Sequence, residues 1–266
     1  MLTVPLPLYA IVLTCMSACS VIMWLVWLWA KKLVNASVVE IFWTFNFPII
    51  GFLLFLLGSG YLPRKIMICA MVIVAGIRLG WHLGVRVISH LDEEEGRYRQ
   101  FRSDWAPHSD RKFFWFFQMQ AFFNVLLALP FFIVTANPYP SLSGWEYAGA
   151  LLWVIAVTGE VIADLQLAAF RKDPSNRGKV CMAGLWNYSR HPNYFFEWLV
   201  WVAYFLFALG SPYGWLALLS PLFILYLLLK VTGVPDTEEQ GLRSKGAAYR
   251  LYQERTSVFI PLPPKK

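Results

Sequence analysis

Seven apolar runs divide this sequence, near residues 7–30, 39–58, 65–88, 113–135, 146–170, 194–210 and 213–231. A helix of about 20 apolar residues spans the hydrocarbon core of a bilayer. Inside that core every backbone N–H and C=O needs a partner within its own segment, which leaves helices as the element these runs can form. The expected fold class is therefore an all-α integral membrane protein with seven transmembrane helices. Composition agrees: 58% of the residues are hydrophobic and 15% charged, with 13 Trp, 12 Tyr and 21 Phe. No internal repeat or low-complexity linker interrupts the chain, so residues 1–266 read as a single membrane domain.

The first run, with no charge before Lys31, is too long for the core of a signal peptide. It reads as a retained first span. Basic residues gather in alternate connections: Lys31 and Lys32; Arg97, Arg99, Arg102, Arg111 and Lys112; Arg171, Lys172, Arg177, Lys179 and Arg190; and a tail with Arg243, Lys245, Arg250, Arg255, Lys265 and Lys266. Arg64 and Lys65 stand on the other side. Seven spans with the N-terminus outside put all four clusters in the cytosol, C-terminus included. The net charge of +7 is thus read as topology, with membrane lipid as a partner and no nucleic acid. Cys15, Cys19, Cys69 and Cys181 show no metal-ligand spacing, so neither a metal site nor a disulfide framework is expected.

An ionisable group within a span is costly and is a functional hypothesis by default. Glu40 and Asn46 lie in the second run; Arg78, His82 and Arg86 lie at four-residue spacing in the third; Asn124 lies in the fourth. Glu160, Asp164, Leu167 and Arg171 form a stripe at the end of the fifth, and Asn193 and Glu197 stand one turn apart at the start of the sixth. Each has a plain structural alternative: Glu40 can pair with Arg78 or Arg86, His82 can be a packing histidine, and Asp164 and Arg171 can tie down helix ends. Their convergence toward one polar layer of Arg, Tyr and Asn suits a phosphate-bearing ligand, with an apolar substrate arriving from the bilayer. Neither GxGxxG nor a P-loop is present.

The stretch "ADLQLAAFRKDPSNRGKVCMAGLWNYSRHPNYFFEW" resembles the steroid 5-alpha-reductase-like proteins, specifically their bacterial branch. "VVEIFW", "RLGWHLGVRV", "EEGRYRQFR" and "YRLYQERTSVFIP" extend the similarity over roughly residues 38–262. "RHPNY" alone is also found in sterol C14-reductases and in isoprenylcysteine carboxyl methyltransferases. The resemblance implies a seven-helix enzyme of the bacterial inner membrane, with its cofactor site facing the cytoplasm. It would use NADPH to reduce the C4–C5 double bond of a 3-oxo-4-ene steroid or a related enone lipid. It carries cofactor binding to Arg97, Asp164, Arg171, Tyr188, Asn193 and Glu197, with Leu167, Arg190 and His191 among them. It carries the ketone-facing acid to Glu40.

The sequence departs from the family in three places. Glu160 stands where the vertebrate enzymes have asparagine. The tyrosine that they place in helix three opposite the helix-two glutamate is missing from "GWHLG". "EEQGLRSKGAAY" replaces a histidine-rich tail. His82 is the candidate for the second donor on the ketone. Trp43 and Trp81, with Phe42 and Phe45, are the candidate substrate wall. Glu40 is expected to be held neutral by desolvation, so that it donates to the ketone oxygen as enolate charge develops. An S-adenosylmethionine-dependent lipid or isoprenylcysteine-type methyltransferase is the alternative that shares "RHPNY". A transporter is disfavoured by the lack of paired repeats.

Overall fold

A computed structural model describes residues 6–265; the first five residues and Lys266 of the basic tail lie outside it. Helices are the regular elements of the described residues, joined by turns and loops, and their β-pairing is a single parallel bridge between Ser189 and Ser257. Five helical segments are long and apolar enough to cross a membrane, or six if one bent pair counts as a span. Seven were expected. The expected span 194–210 is a helix of 17 residues, Pro192–Ala208. The expected span 113–135 is two helices bent by 41°, because Pro130 has no N–H to donate and its ring crowds the preceding turn.

Contacts cluster into two units, residues 1–143 with 210–216, and residues 144–209 with 217–266. The first holds α1 (Leu8–Leu33), α2 (Val39–Leu57), α3 (Leu62–Ile88), α4 (Gly96–Asp104), α5 (Ser109–Leu127) and α6 (Leu129–Thr135). α1 stops in a Schellman turn: Val34 adopts φ 55°, its N–H reaches Lys31 O, and Asn35 N–H reaches Ala30 O at 3.0 Å. Asn35 then caps the short turn into α2, accepting from Ser37 N, and donates to Leu91 O at 2.9 Å. These bonds fix where α2 begins, and with it Glu40.

α2 and α3 cross closely because Gly76, Gly80 and Gly84 share one face of α3. A Cβ on Gly76 would stand 2.4 Å from Pro48 Cδ. α2 meets α5 through a buried amide pair: Asn46 Nδ2 donates to Asn124 Oδ1 at 2.8 Å, and Asn124 donates to Trp43 O. Arg64 and Lys65 are also buried. Arg64 donates to the carbonyls of Asn137, Tyr139 and Ser141, and Lys65 closes the end of α2 through Phe55 O and Gly58 O.

The second unit holds α7 (Gly144–Lys172), α8 (Pro192–Ala208), α9 (Leu219–Tyr226) and α10 (Val234–Arg255). α7 and α8 pack by the same device. Gly149 lies against the backbone of Phe207, and a Cβ on Gly159 would meet the Phe196 ring at 2.4 Å. α8 starts at Pro192, where the missing N–H costs no helical bond. The apolar stretch beginning at Gly214 is exhausted by Val231. α10 is polar, lies beyond that span, and leaves helical geometry at Gly246 (φ 51°, ψ −122°).

Candidate functional site

In the first unit, polar side chains gather on Glu40. Arg97 Nη2 donates to Oε1 at 2.6 Å, the Tyr98 hydroxyl donates to the same oxygen at 3.0 Å, and Arg86 Nη2 donates to Oε2. Arg97 also donates to the Tyr98 hydroxyl and lies 4.9 Å above its ring. Arg86 turns the same Nη2 toward Glu95 at 3.2 Å. Glu40 is 17% exposed, Arg86 half exposed.

Tyr98 comes from α4, and its neighbours explain its position. Glu94 is buried, takes both Nε and Nη2 of Arg102 at 2.9 and 2.8 Å, and accepts Ala36 N at 2.7 Å. Glu95 N donates to Ser37 Oγ. The loop after α3 is thereby sewn to the start of α2, and Tyr98 follows inward to 1% exposure. Burial first, then the Glu40 carboxylate, push its phenol pKa well above 10 against the pull of Arg97, so the hydroxyl keeps its proton. The Glu95 carboxyl is pushed up by burial and by Glu40, with Arg86 and Arg97 opposing.

Neither His82 nor Trp81 is among the described partners of Glu40, which are Arg86, Arg97 and Tyr98; Trp81 is 72% exposed and His82 is exposed as well. Trp43 packs edge-on against Phe47 at 5.3 Å and gives its carbonyl to Asn124. Arg97, expected among the cofactor residues, is a Glu40 ligand here.

In the second unit, Gln166 on α7 accepts Leu185 N at 2.8 Å, and the Trp186 indole donates to Ala163 O. These two bonds pin the turn before "RHPNY" to α7. They bring Asn193 Nδ2 to 3.4 Å from Asp164 Oδ1, the long end of a hydrogen bond. Glu160 lies one turn before Asp164 and is buried; Leu167 and Arg171 continue the α7 stripe toward an exposed basic segment; Glu197 is half-buried one turn after Asn193. A carboxylate beside an amide suits ribose hydroxyls, and the exposed Arg171, Lys172, Arg177 and Lys179 suit phosphates. This donor set fits a nucleotide cofactor.

Arg190 and His191 are committed elsewhere. Arg190 grips Glu238 of α10 through Nε and Nη2, both at 2.9 Å, and its Nη1 donates to Gln253 O and Thr256 O. His191 Nε2 lies 2.8 Å from the same carboxylate, and its ring stacks on Tyr194. Tyr249 and Gln253 complete the shell of Glu238. Burial raises the pKa of this carboxyl, but the bonds from His191, Arg190 and Gln253 outweigh that and hold it well below the usual carboxylate range. The segment after α10 is stitched to the same turn: Arg190 N to Ser257 O, Ser189 Oγ to Phe259 O, Leu262 N to Tyr188 O. Tyr188 offers that carbonyl and keeps an exposed ring.

Glu238 and Tyr98 were therefore missed as partners. A largely enclosed arginine needs a counter-charge, and the tail acids Asp236, Glu238, Glu239 and Glu254 were the available sources. Which of them turns inward is set by α10, beyond the reach of sequence spacing.

A family model described as "Protein of unknown function (DUF1295)" matches residues 26–256. An uncharacterized protein of Schizosaccharomyces pombe is 25% identical over 277 residues, covering 90% of this chain and 76% of its own length. No solved structure matches.

Proposed function

The chain belongs to the DUF1295 family, and we propose that it is a seven-span NADPH-dependent reductase of 3-oxo-4-ene steroids or related enone lipids. In this reading the N-terminus is outside and the cofactor residues face the cytoplasm. The observation that carries it is the Tyr98 hydroxyl on Glu40 at 3.0 Å. The resemblance calls for a glutamate–tyrosine pair, and helix three lacks the tyrosine; α4 supplies one.

When bound, NADPH supplies a hydride for the β-carbon of the enone. With hydride delivered to the β-carbon, the electron pair of the double bond would move toward the ketone, whose oxygen would become an enolate oxygen, and a proton from water at the α-carbon would complete the reduction. The enolate oxygen needs a positioned donor. Tyr98, which keeps its proton, and the Arg97 guanidinium are the donors. At rest Glu40 accepts from both; the single Tyr98 proton would turn from Glu40 to the ketone oxygen as charge develops, so the role of Glu40 shifts from donor acid to positioning carboxylate. The protein residues proposed to hold the cofactor are Asp164 and Asn193 at a ribose, Arg171 with its basic neighbours at the phosphates, and Leu167, Tyr188 and Glu197 around them. Arg190 and His191 support that wall through Glu238.

The test is purified protein in detergent with a panel of enone lipids. NADPH oxidation that depends on enone, with a melting shift by NADPH, is the expected result. A shift by S-adenosylmethionine with no NADPH oxidation on any enone would transfer the chain to the methyltransferase reading.

A further inference from the structure

The ends of α1 and α5 leave a small cleft lined by Trp27, Lys31, Arg102, Asp110 and Phe113, with two alanines at its floor. It lies where the apolar run of α1 gives way to Lys31 and Lys32, and where α5 begins with Ser109, Asp110, Arg111 and Lys112. That is the depth at which a spanning helix passes from hydrocarbon to headgroups, and where tryptophan rings and long basic side chains settle.

The polar contacts inside the cleft are few. The Trp27 indole donates to Asp110 O at 2.9 Å. Lys31 Nζ is 3.1 Å from Asp110 Oδ2 and 5.8 Å from the Trp27 ring centre. Arg102 lies 4.9 Å over the Phe113 ring and spends Nε and Nη2 on Glu94, which leaves the Nη1 hydrogens for a ligand. α5 starts without a side-chain cap, so its first N–H groups add positive potential. Lys32, Arg111 and Lys112 are exposed nearby in sequence. Asp110 is the acid at the mouth, half exposed.

We propose that this cleft binds the phosphodiester of an anionic phospholipid, whose phosphate oxygen replaces the Asp110 carboxylate on Lys31 and accepts from Arg102 Nη1. The space admits one water-sized group, so a single unesterified oxygen enters while the glycerol and chains stay outside in the bilayer. Basic pockets between spanning helices take acidic headgroups by this chemistry. The inference is independent of the reductase reading.

The two halves of the Lys31–Asp110 bridge make opposite predictions. The full chain, purified without lipid, is titrated with phosphatidylglycerol, with phosphatidylcholine and with glycerol phosphate, and bound lipid is counted by native mass spectrometry. Wild type is expected to prefer phosphatidylglycerol over phosphatidylcholine about fivefold, as one basic side chain near the surface provides. Lys31→Gln should abolish that preference, and Asp110→Asn should increase it. If both variants weaken phosphatidylglycerol binding, the bridge is merely structural and the proposal fails. If glycerol phosphate competes with the lipid at equal concentration, the site is one for free phosphate and the lipid assignment fails. A preference unchanged in Lys31→Gln also overturns it.

Discussion

Glu40 at the start of α2 and Glu238 in α10 are each met by arginine and by a tyrosine hydroxyl, at similar exposures of 17% and 14%. They differ in what surrounds the arginines. Arg190 places its remaining nitrogen on two backbone carbonyls, and His191, Tyr249 and Gln253 fill the rest of Glu238. That carboxylate has nothing left to offer a ligand. Around Glu40, Arg86 is half exposed and divides one nitrogen between two carboxylates. A saturated cluster holds a fold; a cluster whose arginines are shared and partly exposed can exchange a partner for a substrate.

The largest effect should come from breaking the saturated cluster. Glu238→Ala leaves the Arg190 side chain, 10% exposed, without its counter-charge, which costs about 3 kcal/mol, the low end for an enclosed pair. The expected readout is a collapse in melting temperature or in the yield of folded protein. A Glu238→Ala protein that melts like wild type would mean that the Glu238 cluster does not hold the fold. Tyr98→Phe should separate the two clusters in the other direction. It is expected to lower enone turnover about 10²-fold or more, while NADPH still raises the melting temperature. Glu40→Gln should likewise lose turnover and keep cofactor binding.

Acid provides a third, smaller contrast. The Glu238 carboxyl titrates below its unfolded value of about 4.3. Its contribution is full above that value and is lost as pH falls through the folded pKa. The Glu95 carboxyl is raised, so its protonation relieves the folded state as pH falls, the opposite sign. Melting temperature between neutral pH and about pH 3 should therefore fall in wild type and fall less steeply in Glu238→Gln. Glu95→Gln should remove the opposing contribution and steepen the fall. Last, Arg243 and Glu239 form an exposed pair one turn apart on α10; Arg243→Ala should shift stability by no more than about 0.5 kcal/mol. A larger loss would mean that exposure is a poor guide to which ion pairs matter here.

The elements written in local sequence were readable. Apolar runs located the helices, and Pro192 marked the start of α8, because hydropathy and proline geometry act over a few residues. The stripe Asp164–Leu167–Arg171 and the pair Asn193–Glu197 followed from helical periodicity, whereas a shared site for Asn193 and Asp164 was implied by the family resemblance. The break at Ala128 needed Pro130 to outweigh an otherwise continuous apolar run, and α8 fell one turn short of comfortable spanning length. Tyr98 and Glu238 were out of reach for a different reason. Tyr98 is placed by Glu94 and Asn35, and Glu238 by a helix whose inward face depends on Tyr249 and Gln253. Those are tertiary choices among several acids and tyrosines of equal standing in the sequence.

The partners of the turn at Ser189–His191 lie 47 residues on at Glu238 and 70 residues on at Phe259. A ribosome delivers the chain from the N-terminus, so α8 emerges with Arg190 and His191 still lacking their carboxylate. Until α10 and the segment after it have been released, that arginine has to remain in water. The candidate site around Asp164 and Asn193 is thus completed late in biogenesis, and the same late contact makes the C-terminal segment the place where synthesis errors or added tags reach it first.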